Sequence, residues 1–171
     1  MPSGTFGVEV VTPERSLVSG EARSVVLRTS TGWLTVLDGH TPLIGDVVPC
    51  EVRVEQDEGS VHLAVHGGFF EVDTSPGAAE GLSEGNGPFP GLSTKVTLLA
   101  GIAELAQEID AERAERAREA AAARVDELGG GPRGGTDADA TGEGEDLETQ
   151  AARQELRRAE LRLSVAGADP A

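Results

Sequence analysis

The amino-acid sequence predicts a β + α protein, in which an N-terminal antiparallel β-sandwich is followed by a C-terminal antiparallel two-helix hairpin. Two observations support this fold class. Short segments rich in Val, Leu and Thr, separated by Gly, Pro or acidic residues, dominate residues 6–73. From residue 108 onward, apolar residues recur at steps of three and four, which is typical of helices. We therefore expect a sandwich domain at residues 1–107 and a helical domain at residues 108–171.

The sandwich is expected to contain eight strands and one insertion. The segment Asp57–Ser60 lies between two alternating runs and has the composition of a hairpin turn. Residues 74–93 are rich in Gly, Pro, Ser and Glu, so we expect a flexible insertion there. Residues 101–107 fit either a last strand or a linker. The predicted strands are Phe6–Val11, Leu17–Ser19, Ser24–Arg28, Gly32–Leu37, Glu51–Gln56, Val61–His66, Phe69–Val72 and Lys95–Ala100.

The composition predicts an aliphatic core and excludes some partners. With four Phe, one Trp and no Tyr, the core must consist mainly of aliphatic side chains, and Cys50 is expected among them. The net charge of −16 argues against a nucleic-acid partner, because phosphate neutralisation requires clustered Lys and Arg. No apolar run reaches the roughly 18 residues of a membrane span, and no secretory signal is visible. We expect no direct insertion into a membrane.

Two amphipathic helices are predicted in the second half. A Gly-rich stretch with Pro132 ends the first helix, and residues 129–147 are expected to form a disordered acidic loop. Because the stripes are rich in alanine they bury little area, so the hairpin should dock elsewhere or move between docking sites. The two stripes are Ala114, Ala117, Ala121, Val125 and Leu128, and then Ala152, Leu156, Ala159, Leu163 and Ala166.

Several motifs, taken in order, resemble the ε subunit of the bacterial F-type ATP synthase. A strand that breaks into a Gly-His-Thr-Pro-Leu turn is followed by a His-Gly-Gly-Phe-Phe-Glu-Val strand, and family-like segments recur at the start of the first helix and the end of the second. The resemblance covers residues 6–73, 94–128 and 149–166. Its motifs are Ser19–Gly20, Gly32–Leu43, His66–Val72, Val96–Ala100, Glu108–Ala114 and Arg158–Ala166.

This resemblance implies a non-catalytic rotor subunit that couples proton-driven rotation of the c-ring to ATP synthesis. The sandwich would bind γ and the c-ring. The hairpin would alternate between a folded and an extended state, and in the extended state it would contact the β subunits and inhibit ATP hydrolysis. The implied location is the cytoplasmic face of the bacterial plasma membrane, peripheral through the complex. Residues 74–93 and 138–144 are expansions relative to the family.

The resemblance requires no cofactor but points to a regulatory ATP site in the hairpin. An Ile/Leu-Asp-x-x-Arg-Ala motif is associated with ATP binding in some family members. An aspartate can accept a hydrogen bond from adenine or ribose, and arginines can hold phosphates. The residues that match this pattern are Ile109, Asp110, Arg113 and Ala114 on the first helix and Arg158 and Arg162 on the second.

One position of that pattern is missing, and a simpler interpretation exists. Ala120 stands where ATP-binding members carry a further arginine, so Arg118 would have to replace it. The alternative is an ordinary helix N-terminus, where Glu108 and Asp110 favour the helix dipole and Asp110 pairs with Arg113 in solvent.

Four residues are predicted as partner contacts. Trp33 would be an anchor on the c-ring side, and the alternative is that it packs inside the sandwich. His40 has no accompanying nucleophile motif, so we interpret it as part of the turn rather than as a catalyst. Arg153 and Arg157 make the second helix locally basic, suited to an acidic segment of the β subunit.

Other functions remain possible from the sequence. His62 and His66 would share a strand face, but without further ligands they make a weak metal site, which we reject. A nucleotide-sensing module whose hairpin closes on ATP is one alternative function. A β-sandwich adaptor unrelated to ATP synthase is another.

Overall fold

The computed structural model describes residues 4–74, 94–129 and 147–167. In these ranges the chain forms ten strands, one turn of 3-10 helix at Ala106–Glu108, and two helices. The strands are β1 (Phe6–Val11), β2 (Ser16–Ala22), β3 (Ser24–Thr29), β4 (Gly32–Val36), β5 (Leu43–Val47), β6 (Cys50–Gln56), β7 (Gly59–Val65), β8 (Gly68–Asp73), β9 (Lys95–Ala100) and β10 (Ala103–Leu105), and the helices are α1 (Ala111–Gly129) and α2 (Leu147–Ala166).

The strands form two five-stranded sheets, which confirms the predicted sandwich. The first sheet has the order β2-β1-β9-β8-β5 and the second has the order β10-β7-β6-β3-β4. Neighbouring strands run antiparallel except for β1 and β9, which are parallel. The parallel pair arises because β9 enters the centre of the first sheet, between β1 and β8.

The core lies between the two sheets and is mainly aliphatic, as predicted. In strands such as β3 and β6, alternate residues point into it, in the period of two that a half-buried strand requires. Phe6 and Phe70 are its largest buried side chains, and the others are mostly Val and Leu. Cys50 is 5% exposed, and burial raises the pKa of its thiol. The thiol therefore behaves as a small apolar core group.

Two glycines of the family-like motifs are required by the backbone. Gly39 has φ of 75°, a left-handed conformation that suits glycine, and its amide donates to the hydroxyl of Thr94 at 3.1 Å. Gly68 lies where β8 meets β9, and a Cβ there would collide with the carbonyl oxygen of Leu99. The first motif thus joins the turn after β4 to the residue before β9, and the second allows β8 and β9 to approach closely.

The two helices pair as an antiparallel hairpin, as predicted. Arg162 near the end of α2 lies beside the start of α1, whereas Glu155 lies beside Ala121 further along α1. The residues buried within this pair are alanines at a spacing of seven in both helices, which allows a close approach. They are Ala114, Ala121, Ala152 and Ala159. The hairpin rests on β6 and β7 through α2.

Some predicted boundaries were wrong. β5 was missed, because Gly45 and Asp46 lower its strand propensity and it pairs only with β8 at an edge. Residues 101–107 contain β10 and the beginning of the 3-10 turn. The first helix begins at Ala111 rather than at residue 108, because Asp110 caps it.

The hairpin connection and one stripe position also differ from the prediction. Gly129 and Leu147 are helical, so the predicted loop 129–147 is shorter at both ends. Ala117 is exposed rather than packed. Val165, which is outside the predicted stripe, is fully buried. The predicted insertion, apart from Thr74, and the interior of the acidic loop lie outside the described residues.

Candidate functional site

The helical hairpin is tied to the sandwich by one two-fold ion pair. The Arg162 guanidinium donates from Nε and Nη2 to the Glu104 carboxylate at 2.6 and 3.0 Å. The Arg162 hydrogen bond is the main reason why the pKa of Glu104 is lowered, while partial burial opposes it. Glu104 belongs to β10, so this pair joins the last strand of the sandwich to the last turns of α2.

The segment between the sandwich and α1 has its own anchor. Arg15, in the turn between β1 and β2, donates from both terminal nitrogens to the Glu108 carboxylate. The amide of Ile109 donates to the carbonyl of Ala106 at 3.3 Å and closes the 3-10 turn. The Arg15–Glu108 pair therefore anchors the connection to the sandwich just before Ile109.

Asp110 is the N-cap of α1. Its Oδ1 accepts from the amide of Arg113 at 2.9 Å, and its carbonyl accepts from the amide of Ala114 at 2.9 Å. The carboxylate thus satisfies a backbone donor that would otherwise have no partner at the helix start. The predicted pairing of Asp110 with Arg113 occurs through the backbone amide rather than through the guanidinium.

Five of the six residues predicted for ATP line one cleft at the start of α1. We call this the cap cleft; it has a volume of about 290 Å³. Two further carboxylates, Glu104 and Glu108, also line it, and each is paired with an arginine. The sequence had indicated Glu108 at the helix start but not Glu104. The predicted residues in the cap cleft are Ile109, Asp110, Arg113, Ala114 and Arg162.

The sixth predicted residue, Arg158, lies in an adjoining cleft between the helices. We call this the interhelix cleft; it has a volume of about 340 Å³ and shares Ala117 and Arg162 with the cap cleft. Arg124 lines it, and no sequence motif had drawn attention to that residue. Arg118 lines neither cleft, because it pairs with Glu115 one turn away at 2.5 Å. The cleft is thus lined by Arg124 and not by Arg118, the residue that the sequence had indicated.

His66 lies between the sandwich and the hairpin, and its imidazole has no hydrogen-bond partner. Nδ1 and Nε2 are both buried and unpartnered among the described residues, while the amide of His66 donates to Ile102 at 3.0 Å. Burial lowers the pKa of His66, and Arg162 lowers it further. His62, four residues earlier, instead hydrogen-bonds to Glu51 at 2.5 Å. His62 lies on β7 and His66 directly follows that strand, so the predicted shared strand does not include His66.

The outer face of the first sheet carries an apolar stripe, defined by Ile44, Phe69 and Leu99. These side chains are 72%, 64% and 57% exposed. Phe69 and Leu99 are direct cross-strand neighbours on β8 and β9, and Ile44 lies diagonally across from Phe69 on β5. Three large apolar side chains side by side on one sheet face form a patch of the kind that marks a protein contact.

Trp33 lies on the outer face of the second sheet and is 63% exposed. Its ring is 5.9 Å from the guanidinium carbon of Arg28, its cross-strand neighbour on β3. The indole therefore lies outside the core, so the alternative that Trp33 packs inside the sandwich is wrong. Its role as a contact residue stays a prediction.

The remaining predicted contact residues are placed as follows. His40 is partly exposed in the turn after β4, where Nδ1 contacts the carbonyl of Thr41 at 2.8 Å. Arg153 and Arg157 are exposed, one turn apart on α2. In the described ranges no helix is long and apolar enough to cross a bilayer.

Comparison with known proteins gives consistent matches. Residues 5–76 match the family model of the ATP synthase delta/epsilon chain β-sandwich domain. An ATP synthase epsilon chain from Streptomyces griseus is 42% identical over 120 residues, 70% of this chain and 82% of that protein. One from Thermobifida fusca is 40% identical over 117 residues, which span 67% of this chain and 72% of that protein.

Solved structures share the fold at low sequence identity. A chain in the mitochondrial ATP synthase of Euglena gracilis, solved with F1 and the c-ring, has a TM-score of 0.63 at 19% identity, and the match covers 95% of this chain and 81% of that one. A chain in the central stalk and c-ring of Tetrahymena thermophila ATP synthase has a TM-score of 0.52 at 11% identity, covering 97% and 99%.

Proposed function

The chain belongs to the ATP synthase epsilon-chain family, and from this premise we propose that it joins the γ subunit and the c-ring in the central stalk and controls hydrolysis through its hairpin. It is a non-catalytic subunit of the rotor, and its role is structural and regulatory. Its partners are γ, the c-ring and the β subunits. The alternative of an unrelated adaptor is not favoured, because the curated relatives are epsilon chains.

The observation that carries this proposal is the exposed apolar stripe on the first sheet. The stripe lies on the opposite side of the sandwich from α2, so a partner can cover it while the hairpin remains docked. A rotor subunit must be held firmly enough to turn with its partner, and contiguous buried apolar side chains are the usual source of that affinity. We assign the stripe to γ and the exposed Trp33 to the c-ring side.

The rotor role is tested by assembly. The full chain should co-purify with γ and the c-ring when the complex is reconstituted from its subunits. A Trp33→Ala variant should still bind γ but should be lost more readily from the assembly that contains the c-ring. If neither γ nor the c-ring retains the chain, the rotor assignment is wrong.

Inhibition of ATP hydrolysis, which we call the brake, requires that the hairpin leave the sandwich. Among the described residues, one two-fold ion pair and the contacts of α2 with β6, β7 and the 3-10 turn hold it in the docked state. After release, Arg153 and Arg157 would reach an acidic segment of a β subunit, which their charge fits. The anchor of the connection just before Ile109 would place the hinge at the start of α1.

A lock on the docked state tests the brake. In a Cys50→Ala background, a bifunctional maleimide would join Glu104→Cys to Arg162→Cys, and ATP hydrolysis by the reconstituted enzyme should then rise. Cross-linking of Glu115→Cys to Arg118→Cys within α1 is the matched control and should leave hydrolysis unchanged. If hydrolysis is the same with and without the lock, the hairpin is not a brake.

Regulatory ATP is a second proposal, favoured by the gathering of the predicted residues in two adjoining clefts. Together the clefts present Arg113, Arg124, Arg158 and Arg162, but acidic residues oppose them and Arg162 is already paired with Glu104. We therefore expect weak binding that improves when Glu104→Gln frees Arg162. Isothermal titration with ATP and Mg²⁺ would measure it, and the absence of heat in both proteins would exclude the site.

The cellular location follows from the complex. ATP synthase is membrane-bound, and we propose that this chain lies on the cytoplasmic face of the bacterial plasma membrane, attached through γ and the c-ring. Membrane fractions should contain the chain only while those subunits are present. Retention after their removal would argue for direct attachment.

A further inference from the structure

We propose that His66 makes docking of the hairpin on the sandwich sensitive to pH, so that protonation of its imidazole in mildly acidic medium releases α2. The proposal concerns the docking equilibrium itself. It holds whether or not release inhibits ATP hydrolysis.

The geometry around His66 is unfavourable for a cation. Both ring nitrogens are buried and have no hydrogen-bond partner among the described residues. A neutral imidazole in this position already leaves one donor and one acceptor unsatisfied. A protonated ring would leave two donors unsatisfied and would also bury a charge, which is much more costly.

The charged groups that act on His66 come from two elements, α2 and β10. Arg162 and Arg158 on α2 both disfavour a positive imidazole, while Glu104 on β10 favours it. The Glu104 carboxylate is occupied by the two hydrogen bonds from Arg162, so it is a poor partner for a second cation. On the neighbouring strands, His62 and Glu51 are paired with each other.

The sign of the pH effect follows from this environment. In the docked state burial and the two arginines lower the pKa of His66. When α2 leaves, Arg162 and Arg158 leave with it, so the pKa of His66 returns toward its ordinary value of about 6.5. The released state therefore binds more protons as the pH falls, and docking is strongest above that value and weakens below it. Each unit between the two pKa values changes the docking equilibrium by about tenfold.

His66 is suited to this role by its position in the fold. It directly follows β7, one of the two strands on which α2 rests, and its amide holds Ile102 just before β10. Its ring thus sits beside the only ion pair that the described residues form between hairpin and sandwich. A positive charge on His66 would therefore act where the hairpin is attached to the sandwich. A charge on His40, in the turn after β4, would not.

Energy transfer within the full chain tests the proposal. Trp33 is the single tryptophan and serves as donor, and an acceptor dye is attached to Gln154→Cys on α2 in a Cys50→Ala background. Between about pH 8 and pH 5 we expect transfer to fall, with a midpoint below the ordinary histidine pKa of about 6.5. His66→Gln should abolish this transition, whereas His62→Gln, four residues earlier on β7, should keep it.

Two further measurements examine whether the charge on His66 causes the release of α2. His66→Arg should release α2 even at about pH 8, where an ordinary histidine is neutral, and nuclear magnetic resonance of the wild-type imidazole should give a pKa below its ordinary value. Constant transfer across the range would overturn the proposal. So would a transition that survives in His66→Gln, or an imidazole that titrates at its ordinary pKa with α2 still docked. Hydrolysis assays are not needed for any of these outcomes.

Discussion

Arg162 on α2 and Glu104 on β10 form the ion pair that closes the hairpin onto the sandwich, with N–O distances of 2.6 and 3.0 Å. Both side chains keep about a third of their surface exposed, so we expect this pair to contribute about 1 kcal/mol to docking. Glu104→Gln should reduce the protection of α2 amides against hydrogen exchange by about fivefold. Glu115→Gln, which removes an exposed pair inside α1, is the control and should have no such effect.

The same pair predicts a second, more acidic transition. The pKa of Glu104 is lowered in the docked state, so its contribution is complete above the ordinary carboxyl pKa and is lost as the pH falls through the lowered one. In His66→Gln, release of α2 should therefore occur only in this acidic range. Energy transfer from Trp33 would record it, and release of that variant near neutral pH would contradict the assignment.

The cap of α1 separates the two interpretations of Asp110. Asp110→Ala should destabilise the helix by about 1 kcal/mol, because the amide of Arg113 loses its acceptor. Asp110→Asn should retain most of the cap, since its amide oxygen can accept the same hydrogen bond. Amide exchange in α1 measures both. If the two variants lose equal stability, the capping role is wrong. If Asp110→Asn is as stable as the wild type but binds ATP less tightly, the carboxylate contributes to ATP binding.

Adjacent phenylalanines of β8 separate folding from binding. Phe70 is 1% exposed and Phe69 is 64% exposed. Phe70→Ala should cost about 3–5 kcal/mol in the free energy of unfolding through the cavity it creates. Phe69→Ala should cost less than about 0.5 kcal/mol but should weaken binding to γ at least about tenfold. Urea unfolding would measure the stability of the two variants, and a binding assay would measure their affinity for γ. Unchanged γ affinity in Phe69→Ala would exclude the stripe from that interface.

The only lysine of the chain is predicted to be a structural residue. Lys95 has a side chain that is 7% exposed and lies 3.0 Å from the Glu9 carboxylate. Glu9→Leu would leave a buried, unpaired ammonium group and should destabilise the fold by about 3 kcal/mol. Adding Lys95→Met should restore most of that loss. If the double variant is as unstable as the single one, the ion pair is not the cause.

The alternation and period of the sequence were sufficient to predict the sandwich, the hairpin and most strands. β5 was not predicted, because its residues lack a strong strand pattern and its position depends on pairing with β8. The parallel contact of β1 with β9 also depends on tertiary structure, since the two strands lie far apart in sequence. Residue types alone carry no information of that kind.

The candidate site shows the same division between local and distant information. The motif shared with the resembling family indicated Asp110 and Arg113, which are close in sequence and lie at the start of one helix. Glu104 and Arg124 were missed because only the docking of α2 and the pairing of the helices bring them to the clefts. The lack of a hydrogen-bond partner for the His66 ring could not be predicted either, because it depends on the tertiary packing around the ring.

The central position of β9 has a consequence for biosynthesis. β1 and β8 have no partner in their shared gap until Lys95–Ala100 has been made, so the first 73 residues alone would leave the middle of one sheet open. The first sheet can be completed only after this late strand has been made, and the long sequence separation of β1 and β9 should make their pairing slow. During translation the open edges are exposed to chaperones and to other nascent chains.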